Sequence, residues 1–171
     1  MSRAFVREDS PRDDELPERP VSSRPNYVTP GGMALLKAKV EELTKQRSAT
    51  LLNSDDPEIR RKRHIIERDL VYFKARYETA ILVDHNGKDF ADIRFGAIAD
   101  VKGASGKNRR FEIVGEDEAD PDSGRINCAS PLAQALLGKK AGEQAVCQTR
   151  DGRQELTVIS VKYPPPAGTR L

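Results

Sequence analysis

The stretch LLNSDDPEIRRKR, residues 51–63, sets Asp55, Asp56 and Glu58 within four positions and follows them with the bases Arg60, Arg61, Lys62 and Arg63. Clustered carboxylates are the residue types that hold a hard divalent cation through oxygen. The same letters also write a helix start: Asp56 is a good N-cap, Pro57 suits the first helical position, and Glu58 faces the positive end of the helix dipole. Three exposed acids in a turn bind a metal weakly by themselves, so such chemistry needs a site that already supplies other ligands. The basic run covers every direction around one helical turn, so it cannot read a groove from one side. A solvated helix surface is its plain role, and phosphate contact its functional one.

No other stretch offers self-contained catalysis. There is no nucleotide-binding loop, catalytic triad or cysteine metal cluster. Cys128 and Cys147 fall in no metal or redox spacing, which suits a reduced cytosolic protein. His64 and His85 are too few and too far from other ligands for zinc, leaving them structural or surface roles. The 29 bases nearly balance 27 acids in 171 residues, so charge acts locally rather than over the whole surface. No apolar run approaches a membrane span and the first residues lack a signal peptide, so the expected location is the cytoplasm, with no membrane partner.

Two elements must position the acids. Residues 1–26, rich in proline and charge, read as a disordered or weakly docked tail. From YVTPGGMALLKAKVEELTKQRSATLLN onward, Met33, Leu36, Val40 and Leu43 recur at spacings of three and four, with Thr29 and Pro30 as the helix start. A second arm from Asp56 carries Ile66, Leu70, Phe73 and Tyr77 at the same spacing. Facing Leu43 with Ile66, Val40 with Leu70, Leu36 with Phe73 and Met33 with Tyr77 keeps the summed residue numbers nearly constant. That register centres the turn near residue 55 and makes residues 27–84 an antiparallel coiled-coil hairpin with the acids at its tip. The polar distal seam should fray.

After a linker at 85–94 the period changes to that of strands. FGAIADVKG, RRFEIVGED, GRINCAS, EQAVCQTRDG and RQELTVISVKY are separated by turn residues, with Asp151 and Gly152 at one bend. SPLAQALLGKKAG fits a short helix with Ser130 as cap, Pro131 at its first turn and Gly138 as stop. The fold class is therefore α+β: a hairpin, then a small, mainly antiparallel β domain with one short helix over 95–163, and a loose end at 164–171.

FGAIADV, RFEIVGEDEAD and above all SPLAQALLGKKAGE closely resemble the Gre family of bacterial elongation factors, as do YVTPGGMALLKAKVEEL and the VD closing the second arm. The likeness spans about residues 27–163. It implies an FKBP-like globular domain that docks on RNA polymerase and a coiled coil inserted through the secondary channel. Catalysis then belongs to the polymerase, which cleaves its own backtracked RNA, while this chain acts as a monomeric accessory factor in indirect contact with nascent RNA and DNA. Docking would fall on the loop Asn127–Pro131, where Asn127, Ser130 and Pro131 are the candidates and Ala129 replaces the family's usual Asp or Asn. Asp55 and Asp56 would share a magnesium with the polymerase, with no other cofactor. The cleavage-competent tip of the family reads Gly-Asp-x-x-Glu-Asn-Ala-Glu-Tyr, which NSDDPE does not match, and the hairpin looks short. A channel blocker without cleavage, like the short-hairpin regulators of nucleoside diphosphate kinase, is thus the alternative. A chaperone or prolyl isomerase, and a nucleic-acid binder using RRKR, are the readings from other classes.

Overall fold

The computed structural model describes residues 17–50, 56–85, 87–149 and 152–164. Asp55 and the turn residues Asn53 and Ser54, the bend residue Asp151, and both ends of the chain lie outside these residues.

Two long helices come first. Helix α1 spans Pro30–Thr50 and α2 spans Pro57–Glu78. Each starts as its sequence dictates. The Thr29 hydroxyl accepts the Gly32 N–H at 3.0 Å, and the Asp56 carboxylate accepts the Glu58 N–H at 2.8 Å, so orphan amides of both first turns are satisfied. Leu43, Ile66 and Leu70 form one buried cluster, with Val40 and Phe73 packed against it. The bases of the two helices are tied by short strands: β1, Tyr27–Val28, enters α1, and β2, Ile81–Leu82, leaves α2. These strands pair in parallel, Tyr27 with Ile81 and Val28 with Leu82. Two helices joined by a short connection at one end and by this ladder at the other must run antiparallel. At about 1.5 Å per residue, α1 alone is roughly 31 Å long.

The remaining strands are β3 (Ile98–Gly103), β4 (Asn108–Val114), β5 (Arg125–Asn127), β6 (Gln144–Thr149) and β7 (Gly152–Lys162). They form one sheet in the order β5-β4-β3-β7-β6, antiparallel except for the β4–β5 pair. The short helix α3, Pro131–Leu136, is capped by the Ser130 hydroxyl, which accepts the Ala133 N–H at 3.2 Å. Its Ala133 and Leu136 join Ala99, Val101, Ile113 and Val158 in the main core, while Arg110 and Lys102 on alternate positions face water.

Four expectations are corrected. Tyr77 is 39% exposed and no seam residue. At the hairpin base the inward positions of α2 are taken by Tyr72 and Arg76, because that stretch packs on acids of the globular part rather than on Met33. Residues 17–26 are partly built into the fold: the Asn26 amide donates to the Arg76 carbonyl at 2.6 Å, closing the end of α2. Segment 85–94 is more than a spacer, since Ile93 is buried in the main core and Phe90 packs against it. Gly152 is no bend residue but pairs with Thr149.

Candidate functional site

The predicted site residues occupy two separate places, and a third set that sequence reasoning missed connects them. At the distal end of the hairpin, Asp56 and Glu58 are both exposed. One oxygen of Asp56, Oδ1, is committed to the α2 cap. Among the described residues no group of three His, Cys, Asp or Glu side chains is arranged to hold a metal. The carboxylates present fit a shared cation, in which another molecule supplies the remaining ligands, better than a self-sufficient one.

The predicted docking loop follows β5. The Asn127 side-chain oxygen accepts the Ala129 N–H at 2.8 Å and the Asn127 carbonyl accepts the Ser130 N–H at 2.8 Å, so one asparagine holds two successive amides. The Gln134 amide reaches back to the Cys128 carbonyl at 2.6 Å. Cys128 N–H pairs with the Val114 carbonyl at 2.9 Å, fixing the loop to β4. Burial pushes the Cys128 thiol above its ordinary range, so it stays a neutral thiol. The Asn127 side-chain oxygen and the Ser130 hydroxyl are thus used in shaping the loop, and Pro131 is the exposed residue at its crest.

The connection is a polar clamp, buried at Arg76 and Glu118 and open to water at Glu116. A single helical turn after β4, Glu116–Glu118, presents three acids, and each takes a partner on the hairpin. Glu118, only 6% exposed, receives the Thr29 N–H at 2.9 Å and the Thr29 hydroxyl, placing a carboxylate at the start of α1 where the helix dipole favours it. Asp117 receives the Tyr72 hydroxyl at 2.8 Å and the Arg76 Nε, and Glu116 lies 3.4 Å from Arg76 Nη2. Arg76 is 2% exposed, so its charge is tolerated only because these carboxylates meet it. Burial, reinforced by the bond to Asp117, pushes the Tyr72 hydroxyl up to about 12, so it remains a donor throughout the physiological range.

Two glycines make the approach possible. A Cβ on Gly32 would lie 2.0 Å from Glu118 Cδ, and one on Gly115 would lie 2.4 Å from the Tyr27 carbonyl oxygen. The sequence carried a signal for this clamp in the GGM that weakens the start of α1 and in the run GEDE. Neither can be paired with its partner from spacing, because the partners lie 40 to 89 residues away. On the outer side of the clamp the Arg19 guanidinium sits 4.0 Å over the Tyr72 ring and 3.6 Å from Asp69.

Comparison with known proteins finds relatives of this chain. Residues 88–163 match the family model described as transcription elongation factor, GreA/GreB, C-terminal. Transcription elongation factor GreA of Ralstonia nicotianae is 35% identical over 153 residues, covering 80% of this chain and 96% of that relative. Transcription elongation factor GreB of Neisseria meningitidis is 29% identical over 153 residues, covering 81% of this chain and 94% of the relative. Among solved structures, GreA/GreB from Nitrosomonas europaea is 16% identical with a TM-score of 0.40, covering 81% of this chain and 99% of the other. The GreA factor homolog Gfh1 of Thermus thermophilus is 20% identical with a TM-score of 0.37, at 81% and 99% coverage.

Proposed function

The chain belongs to the GreA/GreB family of transcription elongation factors, and from that premise we propose that it binds bacterial RNA polymerase and probes its secondary channel with the α1–α2 hairpin. In this reading the globular part, with the FKBP-like fold the resemblance implies, is the anchor, the Asn127–Pro131 loop seats it, and the hairpin is a coiled coil aimed inward. The observation that carries the proposal is the clamp. Thr29, Tyr72 and Arg76 on the hairpin are bound to Glu118, Asp117 and Glu116 next to β4, the strand that also holds the docking loop. Seating the loop therefore sets the direction of the hairpin. A flexible joint would give a probe no aim.

The effect proposed is modulation of elongation, with stimulation of transcript cleavage as its strong form. For cleavage, Asp55 and Asp56 would share a magnesium with the polymerase, the ion supplying positive charge to the phosphoryl group under attack. The blocker reading is favoured by one specific observation: Asp56 already spends an oxygen capping α2.

Backtracked elongation complexes separate the two. Cleavage predicts shortened RNA with the native chain that is lost in Asp55→Asn combined with Asp56→Asn, because asparagine keeps the cap while removing the charge. A blocker binds and slows the complex without shortening RNA. If Pro131→Ala and Asn127→Ala leave binding to polymerase unchanged, the loop is not the anchor. Absence of any binding overturns the proposal.

A further inference from the structure

In the globular part Arg94, Arg110, Arg125 and Arg153 each meet a carboxylate. Lys107 and Arg109 meet none among the described residues. Both stand at the end of the sheet opposite the docking loop: β4 begins next to Lys107, whereas its last residue, Val114, pairs with Asn127. At about 3.3 Å per residue the strand separates the two ends by roughly 20 Å.

The chain builds a concavity there. The loop from Gly103 to Lys107 closes through the Gly106 N–H to the Gly103 carbonyl and the Gly103 N–H to the Lys107 carbonyl, at 2.9 and 3.0 Å. It borders a hollow of about 350 Å³ whose lining includes Ser105, Lys107, Arg109, Arg153 and the buried Leu156. Arg109 shares the core-facing side of β4 with Phe111, its guanidinium 6.0 Å from the ring centroid, so an apolar surface backs the charge. Among the described residues the single carboxylate in the lining is Glu155, already 3.0 Å from Arg153.

We infer that this hollow is a phosphate-backbone site, through which the sheet end engages a nucleic acid without reading its sequence. An arginine fork, a lysine point charge and a serine hydroxyl along one hollow are the donors that phosphate oxygens take. Among the described residues no aromatic ring lines it, so bases have no stacking platform there and sequence preference is not expected. An acidic protein partner fits less well, because protein interfaces are anchored by large aromatic or apolar contacts and the one large apolar side chain in the described lining, Leu156, is itself buried. The site stands apart from the hairpin and the docking loop and does not depend on the polymerase reading.

The test is fluorescence anisotropy of the full chain with a short labelled single-stranded RNA and a duplex DNA, across a salt series. Lys107→Gln combined with Arg109→Gln should weaken binding about tenfold near 0.1 M salt and lower the slope of log affinity against log salt by between one and two, as loss of two phosphate contacts requires. Both side chains are exposed, and an unchanged melting temperature checks folding; Lys107→Gln alone should give an intermediate loss. The inference is overturned if the double variant keeps affinity within about twofold and an unchanged slope. Inorganic phosphate at matched ionic strength should compete far more weakly than unlabelled RNA, because one anion replaces only one of the backbone contacts. The inference is equally overturned if it competes as well as RNA, which assigns the hollow to a free anion, or if polyglutamate does, which assigns it to an acidic protein.

Discussion

Gly32 shows how a single atom decides the joint between hairpin and sheet. Alanine is the better helix former by about 1 kcal/mol, so on propensity alone Gly32→Ala should stabilise α1. Its Cβ would instead collide with the Glu118 carboxylate that holds Thr29. Chemical denaturation should therefore show Gly32→Ala less stable by about 2 kcal/mol, the cost of displacing a buried hydrogen-bonded carboxylate exceeding the propensity gain. Glu112, nearby on β4, carries the opposite liability. Burial, aided by the charge of Glu118, raises its pKa while Arg125 opposes the shift. A raised folded-state value means the site is best tolerated protonated, and stability is lost as pH rises through that value. Glu112→Gln should thus raise the melting temperature at neutral pH, and the gain should vanish below the unfolded glutamate pKa of about 4.3. A melting series from pH 3 to 8 checks both the sign and the window.

At the scale of elements, α2 is the member that everything else grips. Its distal part packs on α1 through Ile66 and Leu70, whereas its proximal part turns Tyr72 and Arg76 toward the Glu116–Glu118 turn. Arg19 braces the outer side, stacking on Tyr72 with its charge 3.6 Å from Asp69. Replacing Arg19 by alanine removes a cation–π contact and a half-exposed ion pair, together worth about 1 kcal/mol. The melting temperature should fall by about 2–4 °C, with faster hydrogen exchange in α2 and partial recovery in Arg19→Lys. No change in either would mean that the segment before Asn26 only rests on the helix. The periodicity of Leu43, Ile66 and Leu70 made the distal packing legible, because a repeating apolar stripe has one way to be buried. Tyr77 continued that stripe by spacing yet is exposed, since a nonlocal acid turn rotated the choice to Arg76.

On the scale of the whole molecule, the clamp makes one body of a hairpin and a sheet that could otherwise move independently. Arg76→Ala leaves Asp117 and Glu116 facing each other without their cation, a change expected to cost about 3 kcal/mol. Hydrogen exchange should quicken at the base of α1 and α2 while β3 and β7 stay protected, because their core of Ala99, Val101 and Val158 does not touch the clamp. Equal loosening of the sheet would show that the two parts fold only together. The amino-acid sequence by itself determined the helices, the five strands of the main sheet, the helix caps and the family, since caps, turns and stripes are written within a few residues of where they act. What only the tertiary structure decided is the joint: the β1–β2 ladder, the three acids after β4 and their partners at Thr29, Tyr72 and Arg76. Charged and glycine residues carry no period, and which of them meet is fixed only when distant segments are brought together and a buried charge must find its opposite.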